Sequence, residues 1–243
     1  MRVSLEDENT CMVDQQTSSE EMLDNHGLME ANGVRVPVGE EDNEGEKEPL
    51  LLTTVPKQRG EKCSRPDISF AVHKATRRTH QPTMSDWKLT KIVARYLKET
   101  KNLKLKMIVP RNEGNKVNLA SWRSDSDYAA DKADRKSVTG GVLAMDGAIV
   151  QWVCKKQTGV SLSTMEAEFA SASHVGRELL GPRDLMREIG FQVDAPMSML
   201  MDNQTAIRQL ETEGSTSSVK HVDVRMKFIC DYARKDIVKP KFV

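Results

Sequence analysis

Asp146-Gly147 divides two strand-like runs, Ser137–Met145 and Ala148–Val153. An Asp-Gly pair between such runs is a strong hairpin signal, because both turn positions need positive φ. A third run, Leu119–Ser124, precedes them, so the spacing predicts three antiparallel strands in sequence, the last able to run on towards Leu162. Ser163 and Glu166 then form a capping box. Met165, Phe169, Ala172, Val175 and Leu179 mark one side of the helix that follows. Gly181-Pro182 is expected to kink or break it, since proline lacks the backbone donor and clashes one turn back. Leu185–Ile189 continues helical and Gly190 caps the end. Met197–Met201 reads as a short apolar strand that stops at Asp202, with a helix beginning at once through Leu210. A last helix is expected from Val222 to Arg234. The order β-β-β-α-β-α-α describes an α+β chain with a mixed sheet.

Upstream, two helices are expected to form a hairpin. Asp67 is the N-cap of the first, with Ile68, Ala71, Val72 and Ala75 on one face, and Ser85-Asp86 starts the second. The hairpin has a basic outer face that includes Lys88, Lys91 and Arg95, either ordinary solvated charge or a contact for a phosphate backbone. Residues 1–64 are acidic and poor in periodic aliphatics, so they cannot bury enough apolar area to offset ordering entropy; they are expected to be disordered or a remnant segment. The domain reading is therefore 1–64, a helical hairpin over 65–106, and an α+β domain over 107–243.

Lys and Arg balance Asp and Glu at zero net charge, so any nucleic-acid partner must be met through local patches. The four cysteines are far apart with no CxxC, which argues against zinc and for a reduced protein inside the cell, cytoplasmic or nuclear and not secreted. No apolar run reaches membrane-span length, and no membrane partner is expected.

The acidic residues carry the chemistry. If the stretch that opens at Ser121 is a strand, Arg123, Asp125 and Asp127, near its end, share one side, and Trp122, Ser124 and Tyr128 the other. Glu168 lies on the buried flank of its helix, between Met165, Ala172 and Val175, where an unpaired carboxylate costs about several kcal/mol. A salt bridge or a shared metal ion would compensate it. Glu166 is explained by the capping box. Asp202 would serve as an N-cap, and Asp223 sits in a first helical turn, where the dipole favours it. Each acid alone has a structural account. Together they supply the hard oxygen ligands that Mg²⁺ takes, and paired ions support phosphodiester cleavage.

The blocks SDSDYAADKADRKSVTGG, QWVCKKQTGVSLSTMEAEFASAS, MDNQTAI and KHVDVRMKFI resemble the ribonuclease H domain of copia-type retrotransposon polyproteins. RPDISFAVHKATRRTHQPTMSDWKLTKIVARYLKETK resembles the end of the reverse-transcriptase part of the same polyprotein. The resemblance implies a ribonuclease H-like fold, a five-stranded mixed sheet with flanking helices. It implies Mg²⁺-dependent hydrolysis of the RNA strand in an RNA–DNA hybrid, with two Mg²⁺ ions (or Mn²⁺) held by Asp125, Glu168, Asp202 and Asp223. Among neighbouring acids it prefers Asp125 to Asp127 and Glu168 to Glu166. Asn203, Gln204, Lys155, Lys156 and Lys220 are the expected hybrid contacts, and other parts of a retroelement polyprotein the expected protein partners. The alternative is a catalytically inactive nucleic-acid-binding remnant. Arg123, Tyr128 and Gly141 stand where the family usually has aromatic residues, and no Asp-Asp polymerase motif occurs, which argues against DNA synthesis.

Overall fold

The computed structural model describes residues 1–38, 64–77, 79–108, 114–131, 134–211 and 224–243, with backbone alone for 224–227. Contacts divide the chain into two compact units, Met1–Met107 and Ile108–Val243.

The first unit opens with strands β1 (Arg2–Asp7) and β2 (Thr10–Asp14), paired antiparallel, then helix α1 (Gln16–Asn25). Residues 1–38 thus hold two strands and a helix, in a segment the sequence reading took as disordered or a remnant. Their sheet is completed by β3 (Leu105–Ile108). Lys106–Glu6 and Lys101–Glu20 ion pairs join the start of the unit to its end at 3.2 and 3.0 Å. Backbone pairing and cross-charge contacts, neither visible in apolar periodicity, hold this part together with a few apolar contacts: Leu23 is buried, and Met22, Val34 and Val38 pack against the cluster of Ile68, Val72 and Leu97.

The helical hairpin is α2 (Ser69–Ala75) and α3 (Met84–Glu99), packed through Ile68, Val72, Val93 and Leu97. Two of its start signals differ from the sequence reading. Asp67 sits in a 3-10 turn, Pro66–Ile68, and its carboxylate takes the Arg65 guanidinium at 2.8 Å and the Tyr96 hydroxyl at 2.8 Å, so it ties the helices together instead of capping one. Thr83, not Ser85, caps α3, in a reciprocal box with Asp86.

In the second unit, β4 (Lys116–Val117) precedes the strands of the main sheet: β5 (Leu119–Asp127), β6 (Val138–Met145) and β7 (Ala148–Lys156). Both turn residues between β6 and β7 have positive φ, 48° at Asp146 and 86° at Gly147, as a tight right-twisted hairpin requires. Helix α4 (Thr164–Glu188) crosses the sheet. Of the kink or break the sequence reading expected at Gly181-Pro182, the break does not occur: α4 runs through both residues as one element. Propagating a nucleated helix past one lost bond costs less than starting a new one, and Leu179 and Leu180 are buried on the near side of the proline.

Next come β8 (Gln192–Val193), β9 (Met197–Met201), α5 (Gln204–Glu211), α6 (Val224–Arg234) and β10 (Val238–Phe242). The sheet order is β10-β9-β5-β6-β7, with β5–β7 antiparallel and both β9 and β10 parallel to their neighbours. That is the mixed five-stranded sheet of a ribonuclease H-like fold. Its core joins Leu119, Leu143, Phe169, Val175, Met199 and Ile229. Gly141 of β6 lets α4 come close, because a Cβ there would stand 2.5 Å from Val175 Cγ2.

Candidate metal centre

Register brings the first two acids together. Parallel pairing sets Ser124 of β5 opposite Met201, the last residue of β9, so Asp125 on β5 and Asp202, just past the end of β9, follow from adjacent positions on strands about 5 Å apart. Helix α4 supplies Glu168. One carboxylate oxygen from each of Asp125, Glu168 and Asp202 lies within 4.8 Å of the others. Among the described residues this group holds neither Asp127 nor Glu166. The Glu166 carboxylate instead accepts the Leu162 N–H at 2.7 Å while its own N–H donates to Ser163 Oγ. Asp223 and Lys220 lie outside the described residues.

Three details of local structure were not anticipated. A bulge at Trp122 breaks the two-residue alternation of β5, since Ser121 pairs with Leu143 and Arg123 with Val142. Trp122 is exposed while Ser124 is fully buried, so they do not share a side as expected. Second, α5 is capped by Asn203, whose Oδ1 accepts the Ala206 N–H at 3.0 Å. Asp202 is thereby released from the capping role the sequence suggested. Third, serines organise the acids: Ser171 Oγ donates to the Asp125 carbonyl at 2.6 Å. Ser126 donates its N–H and Oγ–H to Glu168 Oε1 at 3.0 and 2.9 Å. The Ser-x-Ser spacing at 124 and 126 was the available signal for them.

The other oxygen of Glu168, Oε2, is buried without a hydrogen-bond partner. Burial pushes the Glu168 carboxyl up to about 7; the Ser126 hydrogen bonds pull the other way, and the charges of Asp125 and Asp202 add to the rise. A buried orphan oxygen beside two further carboxylates is a high-energy arrangement for the bare protein. It fits a hard divalent cation, which takes oxygen ligands and would relieve both the orphan and the mutual repulsion. Arg123 also reaches the centre, with its guanidinium 3.8 Å from Asp202 Oδ2.

The expected hybrid contacts are distributed unevenly. Gln204 is exposed on the first turn of α5, beside the capping Asn203. Lys155 is exposed near the end of β7. Lys156 is engaged already, its ammonium 2.6 Å from Asp131 and 2.9 Å from Asp134. Burial alone would lower its pKa, but those two hydrogen bonds and charges raise it. It is a structural clamp on the β5–β6 loop and not an open phosphate contact.

The strand order and the three convergent acids define a ribonuclease H-like domain. No protein-family model matches the chain. It is 30% identical over 177 residues to the retrovirus-related Pol polyprotein from transposon TNT 1-94 of Nicotiana tabacum, which covers 73% of this chain and 13% of that protein. It is 32% identical over 166 residues to the retrovirus-related Pol polyprotein from transposon RE2 of Arabidopsis thaliana, covering 68% of this chain and 11% of that protein. The chain belongs to these copia-type retrotransposon polyproteins, and it spans 11–13% of the length of the two relatives. Among solved structures, LC11-RNase H1 isolated from compost by a metagenomic approach aligns with TM-score 0.37 and 12% identity, over 54% of this chain and 85% of that one. Among the described residues no helix is long and apolar enough to cross a membrane.

Proposed function

We propose that the second unit is an endoribonuclease that hydrolyses the RNA strand of RNA–DNA hybrids with Mg²⁺ or Mn²⁺. The observation that carries this reading is the unpartnered, buried Oε2 of Glu168 in one group with Asp125 and Asp202. These three residues would hold the metal, two ions in the reading the family resemblance implies, with Asp223 as the fourth ligand. The chemistry a bound divalent ion would supply at these residues is polarisation of an attacking water and stabilisation of the leaving 3′ oxygen of the phosphodiester.

The chain's own part is positioning. Ser126 fixes one Glu168 oxygen so that the other keeps a single direction. The β5–β9 register sets the spacing of Asp125 and Asp202. Gln204 and Lys155 are exposed to approach a nucleic-acid strand. Choice of the RNA strand would rest on contacts to its 2′-hydroxyls.

The test is cleavage of an end-labelled RNA–DNA hybrid by the full chain, with and without Mg²⁺. Metal-dependent cutting of the RNA strand that disappears in both Asp125→Asn and Glu168→Gln is expected. A folded protein that binds no Mg²⁺ and cuts no hybrid would remove the enzyme reading. Arg123 beside Asp202 favours a second reading, an inactive nucleic-acid-binding remnant, because a guanidinium there competes with metal for the same oxygen. Hybrid binding without turnover, unchanged by substitution of the acids, would select that reading.

A further inference from the structure

We propose that the hollow between the end of β7 and the outer flank of α4 takes a phosphate group of the bound nucleic-acid strand, a subsite that rests on the nuclease reading above. The hollow has a volume of about 190 Å³ and is lined by Thr139, Lys155, the 157–161 loop and the α4 residues Glu166, His174 and Arg177, among others. Two cations, Lys155 and Arg177, stand exposed around it. Its third cation, Lys156, is neutralised by Asp131 and Asp134. The Glu166 carboxylate is turned to the Leu162 N–H. Among the described residues, Lys155 has no carboxylate within ion-pair distance.

Arg177 is held in place. Its Nη2 lies 2.8 Å from His174 Nδ1. A guanidinium has only donors, so Nδ1 accepts and the imidazole proton sits on Nε2, on the side of Glu178 Oε1 at 3.8 Å. Burial, then the charge of Arg177 and that of Lys155, hold the His174 pKa below its ordinary value, against Glu178. A neutral His174 therefore orients one arm of the fork and leaves the other N–H groups for a ligand. Two cations, one of them a planar fork, suit the several oxygens of a phosphate.

Strand register ties this hollow to the acids. Ser126 of β5, the residue that holds Glu168, is opposite Thr139 of β6, which is opposite Lys155 of β7. Lys155 is thus two strand spacings from Ser126, about 10 Å, or about three base-pair rises of 3.4 Å. A strand with one phosphate at the acids can lay a nearby phosphate on Lys155 and Arg177. Placement in line with the acids, and at exposed positions, favours a polymer backbone over a free anion.

The experiment uses the full chain carrying Asp125→Asn, so that no hybrid is consumed. Binding of a labelled RNA–DNA hybrid is measured from about 50 to about 200 mM salt, where phosphate contacts weaken steeply. With Lys155→Gln and Arg177→Gln together, the slope of log affinity against log salt should become shallower by about 2, since each contact contributes about 0.9. The pair Lys155→Arg and Arg177→Lys keeps the charges and should keep the slope. His174→Ala should weaken binding in the presence of Arg177 and have no further effect once Arg177→Gln is present. An unchanged slope in the double glutamine variant overturns the proposal, and so does a lost slope in the charge-preserving pair. Competition by inorganic phosphate as tight as the hybrid's own binding also overturns it, since that marks a free-anion site. Cleavage by the unsubstituted chain is scored separately. Intact cleavage with an unchanged slope removes this subsite alone, and a changed slope without cleavage removes the nuclease reading alone.

Discussion

Ser126 donates both its backbone N–H and its hydroxyl to the same oxygen of Glu168, at 3.0 and 2.9 Å. The other oxygen of that carboxylate is left buried and unpaired. A ligand so oriented binds metal better than one that must be ordered on binding, and partners that orient a ligand are typically worth about 10–100-fold in affinity. Ser126→Ala keeps the N–H contact and loses the hydroxyl. Mg²⁺ affinity measured by calorimetry should fall by about tenfold, with the fold intact by circular dichroism. Unaltered affinity would mean the serine is only a packing residue.

The raised Glu168 pKa makes a stability prediction for the metal-free chain. Its folded value of about 7 exceeds the ordinary 4.5, so the folded state holds the proton more tightly than the unfolded one. Stability from this group is full below pH 4.5 and is lost as pH rises towards 7, after which it levels. At 1.36 kcal/mol for each pKa unit, the loss is at most about 3 kcal/mol. Urea denaturation in EDTA at pH values across this window should show the decline. Glu168→Gln should flatten it and stabilise the metal-free protein at the alkaline end, and saturating Mg²⁺ should reduce it in the parent chain. An equal decline in Glu168→Gln would assign the effect to other groups.

Arg123 faces Asp202 across 3.8 Å, with both side chains well exposed. Exposed pairs contribute about 0.2–1 kcal/mol, so the guanidinium should hinder metal binding only modestly. Arg123→Gln is expected to tighten Mg²⁺ by about two- to fivefold at low salt, with the gain fading as salt screens the pair. Titration at two ionic strengths measures both. Weaker metal binding in the variant would make Arg123 a support of the site and not a competitor.

The parts legible in the sequence are those written locally. Asp146-Gly147 announced the β6–β7 hairpin, and Ser163 announced the start of α4. Glu168 stood out because a carboxylate among apolar helix positions needs a partner. What escaped reading depends on partners distant in the chain. The bulge at Trp122 shows only against β6. Asn203 and Asp202 are both competent caps, and only the β5–β9 register decides which is freed for the centre. The fifth strand, Val238–Phe242, contains Pro240, which argues against a strand unless it lies at an edge, as β10 does. The hairpin of Arg2–Asp14 leaves Val3 and Leu5 exposed, so burial could not reveal it.

Two glycines of the second unit make a paired prediction about packing. A Cβ at Gly141 would meet Val175 Cγ2 at 2.5 Å and Cγ1 at 3.4 Å. Val175 is fully buried in α4, where a β-branched side chain has essentially one rotamer, so it cannot turn away. Gly141→Ala should therefore force α4 from the sheet and cost about 1–3 kcal/mol. A Cβ at Gly176 would strike the Ile229 Cδ1 methyl and stand 2.9 Å from its Cγ1; Ile229 is β-branched like Val175, but rotation about its outer bond can carry the methyl away. Gly176 also lies inside a helix, where alanine is preferred by about 1 kcal/mol. Gly176→Ala should accordingly be the milder change, with part of its strain offset. Thermal or urea denaturation of the two variants at one pH decides the order. A larger loss at Gly176 would show that Ile229 is fixed against α4 as firmly as Val175 is against β6.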